Sequence, residues 1–357
     1  MFRLLAPLLL LLLLPALAIR ADDNGKIAEF KARDGNITAA AISGDGALVF
    51  LGEDDGLLTL WNVRTGAMVR DFKGHWPRSV FAAALLRDGK RGVSCGDDNK
   101  VIIWDLATGR PLREMSTGNS IPLVMSCSPD GSLAATGCDD GQITVWNLAN
   151  GRRITTLRHS AQICGVLFSP DARTLAAGYS DGRVILWNTV DWSAKHTLPP
   201  ADAASVGALA FSSESRLLAT GNQNGGGFVW NVADGTQFSA FAGYAHPEAS
   251  PIPPVAPVFP GSTITPDNRS SILFLCFSPD GASIMGSIQD APARFWDTKT
   301  GRFLGTADWF GDDRLYIARF GFTFATAAVT SRRSFIVTIK ENFARVWRLS
   351  FTPVPPQ

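Results

Sequence analysis

The sequence is poor in the side chains and spacings that most enzymes use for catalysis. It has four histidines in 357 residues, and none stands in a His-x-x-x-His or His-Glu-x-x-His spacing that would indicate zinc. It also lacks a Gly-x-Ser-x-Gly nucleophile elbow and a Gly-x-x-x-x-Gly-Lys phosphate loop. The sequence therefore predicts no catalytic residue, no metal site and no cofactor.

An excess of charge of one sign is also missing. The formal net charge is +1, and loss of Arg3 with the first residues of the chain would leave basic and acidic residues balanced. Proteins that bind a phosphate backbone usually carry a clustered basic excess. The sequence therefore predicts no nucleic-acid partner.

The spacing of the cysteines does not indicate a disulfide framework. Their number is odd, and no Cys-x-x-Cys pair occurs. Most of them stand in apolar, strand-like runs such as "LVMSCS", which favours buried, unpaired thiols. One disulfide between neighbouring repeats remains the alternative. The five residues are Cys95, Cys127, Cys138, Cys164 and Cys276.

The N-terminus is typical of a secretory signal peptide. Arg3 precedes an apolar run, and Ala16-Leu17-Ala18 provides a small-residue cleavage site. An uncleaved anchor is the alternative, but the run falls short of the ~20 residues that a spanning helix needs. We expect residues 1–18 to be removed, residues 19–25 to form a short linker, and the exported protein not to stay inserted in a membrane.

A tryptophan recurs along the rest of the chain at the end of alternating apolar runs such as "LTLW", "VIIW" and "VILW". Alternation with a period of two predicts strands with one buried face. The first five tryptophans are 41–43 residues apart, and the last two intervals are 66 and 51. They are Trp61, Trp104, Trp146, Trp187, Trp230, Trp296 and Trp347.

Each tryptophan follows a turn residue by six positions, and Asp or Asn suits such turns because its side chain bonds nearby backbone N–H groups. A second turn, often "SPDG", lies further upstream. Each unit thus predicts four strands. The turn residues are Asp55, Asp98, Asp140, Asp181, Asn224, Asp290 and Glu341.

This pattern resembles the WD-repeat β-propellers, whose units have four strands and a period of 40–45 residues. The Trp-Asp pair stands at 104–105 and 296–297, with Trp-Asn or Trp-Arg elsewhere. The resemblance covers residues 26–350 and implies an all-β, seven-bladed propeller followed by a tail, 351–357. The segment "KIAEFKA", 26–32, resembles a fourth strand and is expected to close the ring. The repeated "SPDG" turns and the Leu-rich N-terminal segment also resemble those of bacterial members, which implies a periplasmic or secreted protein.

The resemblance implies a buried hydrogen-bond set in blade two. By position it joins His75, Ser94, Asp98 and Trp104. Blade four has His159 but Ala177 in place of the hydroxyl. We expect apolar packing around the repeated tryptophans to dominate stability.

The resemblance places the residue before each turn Asp at the rim of the upper channel mouth. Three successive Asp residues there suggest an acidic crescent for a basic segment of a partner. Ordinary solvated turns are the alternative. The seven rim positions are Asp54, Asp97, Asp139, Ser180, Gln223, Gln289 and Lys340.

Two further features stand outside the repeat. Trp76 is a candidate aromatic anchor for a partner, or else lies buried under a neighbouring blade. Residues 245–270 form a Pro-rich insertion between blades five and six, which is either a stiff solvated loop or a docking segment. Its prolines recur every third residue, the period of a polyproline II helix: Pro251, Pro254, Pro257 and Pro260.

The sequence therefore predicts an exported, non-catalytic scaffold that presents the upper face of a propeller to a protein or peptide. One alternative is a propeller hydrolase or lactonase with a metal at the channel mouth. Another is a sensor that binds a small ligand in the channel. The fold does not choose among these functions, and bound-metal analysis would separate the enzyme from the others. The sequence does not indicate an oligomeric state.

Overall fold

The computed structural model describes residues 26–33, 35–200, 204–241, 272–288, 293–307, 326–329, 334–340 and 342–348. These residues form twenty-eight β-strands in seven four-stranded sheets, and no helix occurs among them. The predicted all-β class and the seven blades are confirmed.

The first six blades are each built from four consecutive strands. The first strand of the described residues, β1 (Lys26–Lys31), belongs to the last blade. Blade one contains β2 (Ile37–Ile42), β3 (Leu48–Glu53), β4 (Leu58–Asn62) and β5 (Met68–Phe72). Blade two contains β6 (Val80–Leu85), β7 (Arg91–Gly96), β8 (Lys100–Asp105) and β9 (Pro111–Ser116). Blade three contains β10 (Pro122–Cys127), β11 (Leu133–Cys138), β12 (Gln142–Asn147) and β13 (Arg153–Arg158).

The remaining blades follow the same plan. Blade four contains β14 (Ile163–Phe168), β15 (Thr174–Tyr179), β16 (Val184–Asn188) and β17 (Ala194–Leu198). Blade five contains β18 (Val206–Phe211), β19 (Leu217–Asn222), β20 (Gly227–Asn231) and β21 (Gln237–Phe241). Blade six contains β22 (Ile272–Phe277), β23 (Ser283–Ile288), β24 (Ala293–Asp297) and β25 (Phe303–Ala307). Blade seven contains β26 (Thr326–Val329), β27 (Ser334–Lys340), β28 (Phe343–Arg348) and β1.

The blades form a closed ring. Their first strands are innermost, and each contacts its neighbours in turn until β26 meets β2 again. The ring closes where β1 pairs with β28 in antiparallel register, with Phe30 opposite Ala344. The prediction that the N-terminal strand completes the last blade is therefore confirmed.

The repeated tryptophans lie at one register position. In the first six blades, the pairing of the third and fourth strands shifts just before the tryptophan. Five of the seven side chains are buried, but those of Trp61 and Trp187 are only half-buried. The packing therefore differs from blade to blade, although the backbone repeats.

The buried hydrogen-bond set of blade two has the geometry that the resemblance implies. His75 Nδ1 lies 2.8 Å from Asp98 Oδ1, and His75 Nε2 lies 2.8 Å from Ser94 Oγ. The indole N–H of Trp104 donates to the same Ser94 Oγ at 2.8 Å. The four side chains thus tie three elements of the blade together, and polar groups this deeply buried need such partners.

Blades three and five keep only the bond between the indole and a hydroxyl, whereas blade four keeps the pair of His159 Nε2 with Asp181 Oδ2 at 3.0 Å. Trp146 donates to Thr136 Oγ1 at 2.9 Å, and Trp230 donates to Thr220 Oγ1 at 3.0 Å. In blade four, where Ala177 takes the place of the hydroxyl, Trp187 Nε1 finds no hydrogen-bond partner among the described residues.

A hydrogen bond between neighbouring blades repeats at the periphery in four places, and no sequence pattern indicated it. The residue nine positions after the tryptophan reaches to a carbonyl in the turn that follows the third strand of the next blade. The pairs are Arg70 Nη1 with Thr108 O (3.3 Å), Arg113 Nε with Ala149 O (3.2 Å), His196 Nε2 with Ala233 O (2.9 Å) and Ser239 Oγ with Thr298 O (2.6 Å). Different side chains make the same contact, so the relative position of adjacent blades, and not the residue type, determines it.

The turns between first and second strands hold a Ser–Asp pair in several blades. The hydroxyls of Ser43, Ser128 and Ser278 donate to Asp45, Asp130 and Asp280 at 2.5–2.6 Å. In each case the serine hydrogen bond is the main cause that lowers the pKa of the carboxyl. These turns lie at the lower face, opposite the turns between second and third strands.

Removal of the shared hydroxyl in blade two should destabilise the protein. Ser94→Ala would leave the Trp104 N–H and one His75 nitrogen buried without a partner, at a cost of about 1–3 kcal/mol. The converse change, Ala177→Ser, supplies an acceptor for Trp187 and should stabilise blade four by about 1 kcal/mol. Urea unfolding followed by fluorescence measures both. A Ser94→Ala variant as stable as wild type would contradict this account.

The Ser–Asp turns should make stability sensitive to acid. Because the folded carboxyls have a pKa below the ordinary 3.8, their contribution is complete above that pH and is lost as the pH falls through the lower folded values. The triple variant Ser43→Ala/Ser128→Ala/Ser278→Ala should lose less of its free energy of unfolding between pH 7 and pH values below 3.8. Urea unfolding across this range measures the difference. Identical acid dependence in wild type and variant would contradict the assignment.

Candidate functional site

The upper face of the ring consists of the turns between second and third strands and the connections between blades. The turns are held as the sequence predicts in blades one to four. The carboxylates of Asp55, Asp98, Asp140 and Asp181 each accept a bond from the backbone N–H two residues later, at 2.9–3.2 Å. In blade five the side-chain oxygen of Asn222 accepts bonds from the N–H groups of Asn224 and Gly226, both at 3.1 Å.

Five of the seven predicted rim residues occupy one equivalent position. Each donates its backbone N–H, over 2.9–3.1 Å, to the carbonyl that immediately precedes the innermost strand of its own blade. They are Asp54, Asp97, Asp139, Ser180 and Gln223. They therefore lie beside the channel mouth. Gln289 lies outside the described residues, and of Lys340 only the strand backbone is described.

The carboxylates of this crescent are already engaged within the protein. Asp54 accepts bonds from Asn36 N and Asn36 Nδ2, both at 2.9 Å. Asp139 Oδ1 accepts a bond from Ile121 N at 2.9 Å. Both residues thus fasten the start of the first strand to the turn.

The third carboxylate of the crescent faces a cation. Asp97 Oδ2 lies 3.5 Å from Arg78 Nη1, and the Arg78 side chain is 65% exposed. Sequence reasoning missed these structural uses because the partners come from the connection before each first strand, which has no common motif. Among the three, Asp139 is the exposed carboxylate.

Trp76 is the most prominent apolar side chain of this face. It is 67% exposed, which decides between the two sequence interpretations in favour of an exposed aromatic. Its loop is fixed by a bond from Arg78 N to His75 O at 2.8 Å. The loop also packs closely against the blade-one turn, since a Cβ added to Gly56 would lie 2.6 Å from Trp76 N. The indole therefore projects from a firmly held backbone.

The Pro-rich segment, with Pro251, Pro254, Pro257 and Pro260, lies outside the described residues, as do the signal segment and the C-terminal tail. The insertion at 245–270 therefore stays a prediction, with both of its interpretations.

The cysteines are free thiols. All five are unpaired, so the alternative of a disulfide is not what the structure contains. Burial raises the pKa of Cys127, Cys138 and Cys164 to about 12. A thiol that stays protonated is a poor nucleophile and a slow partner in disulfide exchange.

The described residues hold no group of three or more His, Cys, Asp or Glu side chains that could bind a metal ion. Over the same part of the chain, no helix is long and apolar enough to cross a membrane.

The centre of the ring is a channel with a cavity of about 460 Å³. It is lined by the first strands of blades one to six, which contribute small residues such as Ala39–Ala41 and Ala82–Ala84. The sequence alone did not predict a cavity of this size.

One family of known proteins matches the chain. The family model for the WD domain, G-beta repeat, matches residues 66–105, 109–147 and 151–188. No curated protein matches the chain significantly. Each matched segment starts after the tryptophan of one blade and ends one residue beyond the tryptophan of the next, so a sequence repeat spans two blades. These three repeats and the closed ring of seven blades show that the chain belongs to the WD-repeat β-propeller family.

Proposed function

We propose that this propeller is a non-catalytic scaffold that binds a protein or peptide partner on its upper face. WD-repeat propellers commonly act as protein-interaction scaffolds and are generally non-catalytic. The observation that carries the proposal here is the exposed indole of Trp76. Tryptophan is strongly enriched at binding hot spots, because a large, rigid side chain is desolvated at a low entropic cost.

The surroundings of Trp76 support a docking role. The blade-one turn at Asp55 and Gly56 packs under its loop, so little conformational freedom would be lost on binding. Ser79 Oγ donates to Asp54 O at 2.8 Å, which ties the end of the same loop to the rim. The anchor therefore sits on a rigid frame next to the channel mouth.

We infer a partner segment with basic side chains. Asp139 and Asp140 are both exposed at the turn of blade three, and neither is paired with a cation in a described ion pair. Complementary charge of this kind mainly sets orientation and association rate. The indole of Trp76 would supply most of the affinity, and the carboxylates would select the partner.

We also propose that the protein is exported after removal of residues 1–18, to the periplasm or the exterior. The layout of the N-terminal residues supports this, because Arg3 precedes an apolar run that ends in the small-residue cleavage site Ala16-Leu17-Ala18. The burial of the free thiols is compatible with such a location, because protonated, enclosed thiols oxidise slowly.

Replacement of Trp76 should weaken partner binding without unfolding the ring. Trp76→Ala removes a hot-spot side chain, worth about 2 kcal/mol or roughly 30-fold in affinity. Immobilised wild-type and variant proteins would be compared for capture from an extract of the source cells. Retained proteins would be identified by mass spectrometry, and the affinity of the main one measured.

Val190→Ala is the matched control. Val190 is 86% exposed in the turn between β16 and β17, on the lower face, so its loss should leave capture unchanged. A partner that binds Trp76→Ala as well as wild type would refute the assigned surface. Asp139→Lys should weaken capture relative to wild type at low salt. Unchanged capture by this variant at low salt would refute the inference of a basic partner.

Export can be tested on the protein isolated from its source. N-terminal sequencing should find Ile19 as the first residue, because cleavage is expected after Ala18. Cell fractionation should recover the protein outside the cytoplasm and free of membranes. An intact Met1, or recovery with the membranes, would contradict the proposal.

A further inference from the structure

The central channel has the size of a ligand site. Its cavity of about 460 Å³ falls within the roughly 300–1,000 Å³ typical of pockets for small molecules. Gly165 and Gly207, on two neighbouring innermost strands, line this cavity and contribute no side chain to fill it. A Cβ added to Gly165 would meet a single neighbour within 4 Å, Leu209 Cδ1 at 3.7 Å, so this position borders open space.

The walls of the cavity are apolar. Half-buried side chains of Phe81, Leu85, Met125, Leu167, Leu209 and Phe211 line it, and no charged side chain stands among the described lining residues. A charged ligand would lose its hydration there and gain no counter-charge, which is costly. The channel therefore disfavours ions and favours an uncharged occupant.

The side-chain hydroxyls of the lining are already used within the protein. Ser126 Oγ accepts a bond from Phe168 N at 3.1 Å, Ser278 Oγ donates to Asp280 at 2.6 Å, and Ser213 Oγ donates to Pro279 O at 3.2 Å. The remaining polar groups are backbone ones. Each innermost strand pairs on one side only, so its other edge turns N–H and C=O groups toward the axis.

We propose that the channel binds an uncharged, mainly apolar small molecule, whose few polar groups pair with backbone N–H and C=O groups along the axial edges of the innermost strands. Apolar walls with a few polar groups that fix orientation are the usual composition of such sites. This site is separate from the upper-face surface around Trp76 and does not depend on it.

The test uses N-phenyl-1-naphthylamine, a neutral fluorescent probe, and the whole protein. Saturable binding of one probe per protein is expected. The matched anionic probe 1-anilinonaphthalene-8-sulfonate should bind at least tenfold more weakly, because the lining residues that the structure describes include no cation. Absence of saturable binding of the neutral probe, or equal affinity for the two probes, would overturn the proposal.

Substitution localises the probe. Gly165→Leu fills the cavity and should weaken binding of the neutral probe at least tenfold. Gly44→Leu is the control, since it adds the same side chain at an exposed turn where a Cβ meets nothing within 4 Å. Trp76→Ala should also bind the probe normally. Wild-type affinity in Gly165→Leu would overturn the proposal.

Thiol protection provides a readout that does not depend on the stability of the variants. Cys127 and Cys164 line the cavity, whereas Cys138 does not. Bound probe should slow the reaction of Cys127 and Cys164 with methyl methanethiosulfonate and should leave the rate at Cys138 unchanged. Mass spectrometry of peptides measures the extent of reaction at each cysteine. Equal rates at Cys127 and Cys164 with and without saturating probe would overturn the assignment.

Discussion

The pairing of β1 with β28 is the contact on which the rest of the ring depends. It joins residues more than three hundred positions apart, with Phe30 opposite Ala344 and Arg345 bonded to Glu29. Phe30 is buried and packs on Trp61 of blade one at 5.3 Å between ring centroids. One strand thereby completes the last blade and packs against the first. A closed ring leaves no blade with an uncovered face, so every local interface is supported from both sides.

Closure explains how blades with different polar contacts keep one geometry. Blade two has the full set of His75, Ser94, Asp98 and Trp104, whereas the indole of Trp187 lacks its acceptor. The cost of a missing bond of this kind is about 1–3 kcal/mol, which is small beside the apolar burial of a large domain. Individual blades can therefore lose parts of the repeat signature while the ring survives.

The same ring offers two surfaces of opposite character. The upper face has an exposed indole and carboxylates on fixed turns, which suits a macromolecular partner. The channel has apolar walls, which suit a small neutral molecule. The two are adjacent at the mouth, where Asp54 and Asp139 brace the innermost strands through Asn36 and Ile121. Residues assigned to partner binding thus also hold the channel wall in place.

A two-residue alternation, a turn Asp and a tryptophan at fixed spacing form a local pattern that repeats, and this pattern was enough to predict the strands and the seven repeats. The propeller, its closing strand and the buried set of blade two were predicted from the family resemblance that this pattern carries. The exposure of Trp76, the partners of the rim carboxylates and the size of the channel could be read only from the folded ring. These properties arise between segments distant in the chain. They depend on the distance and angle between blades, which no local pattern encodes.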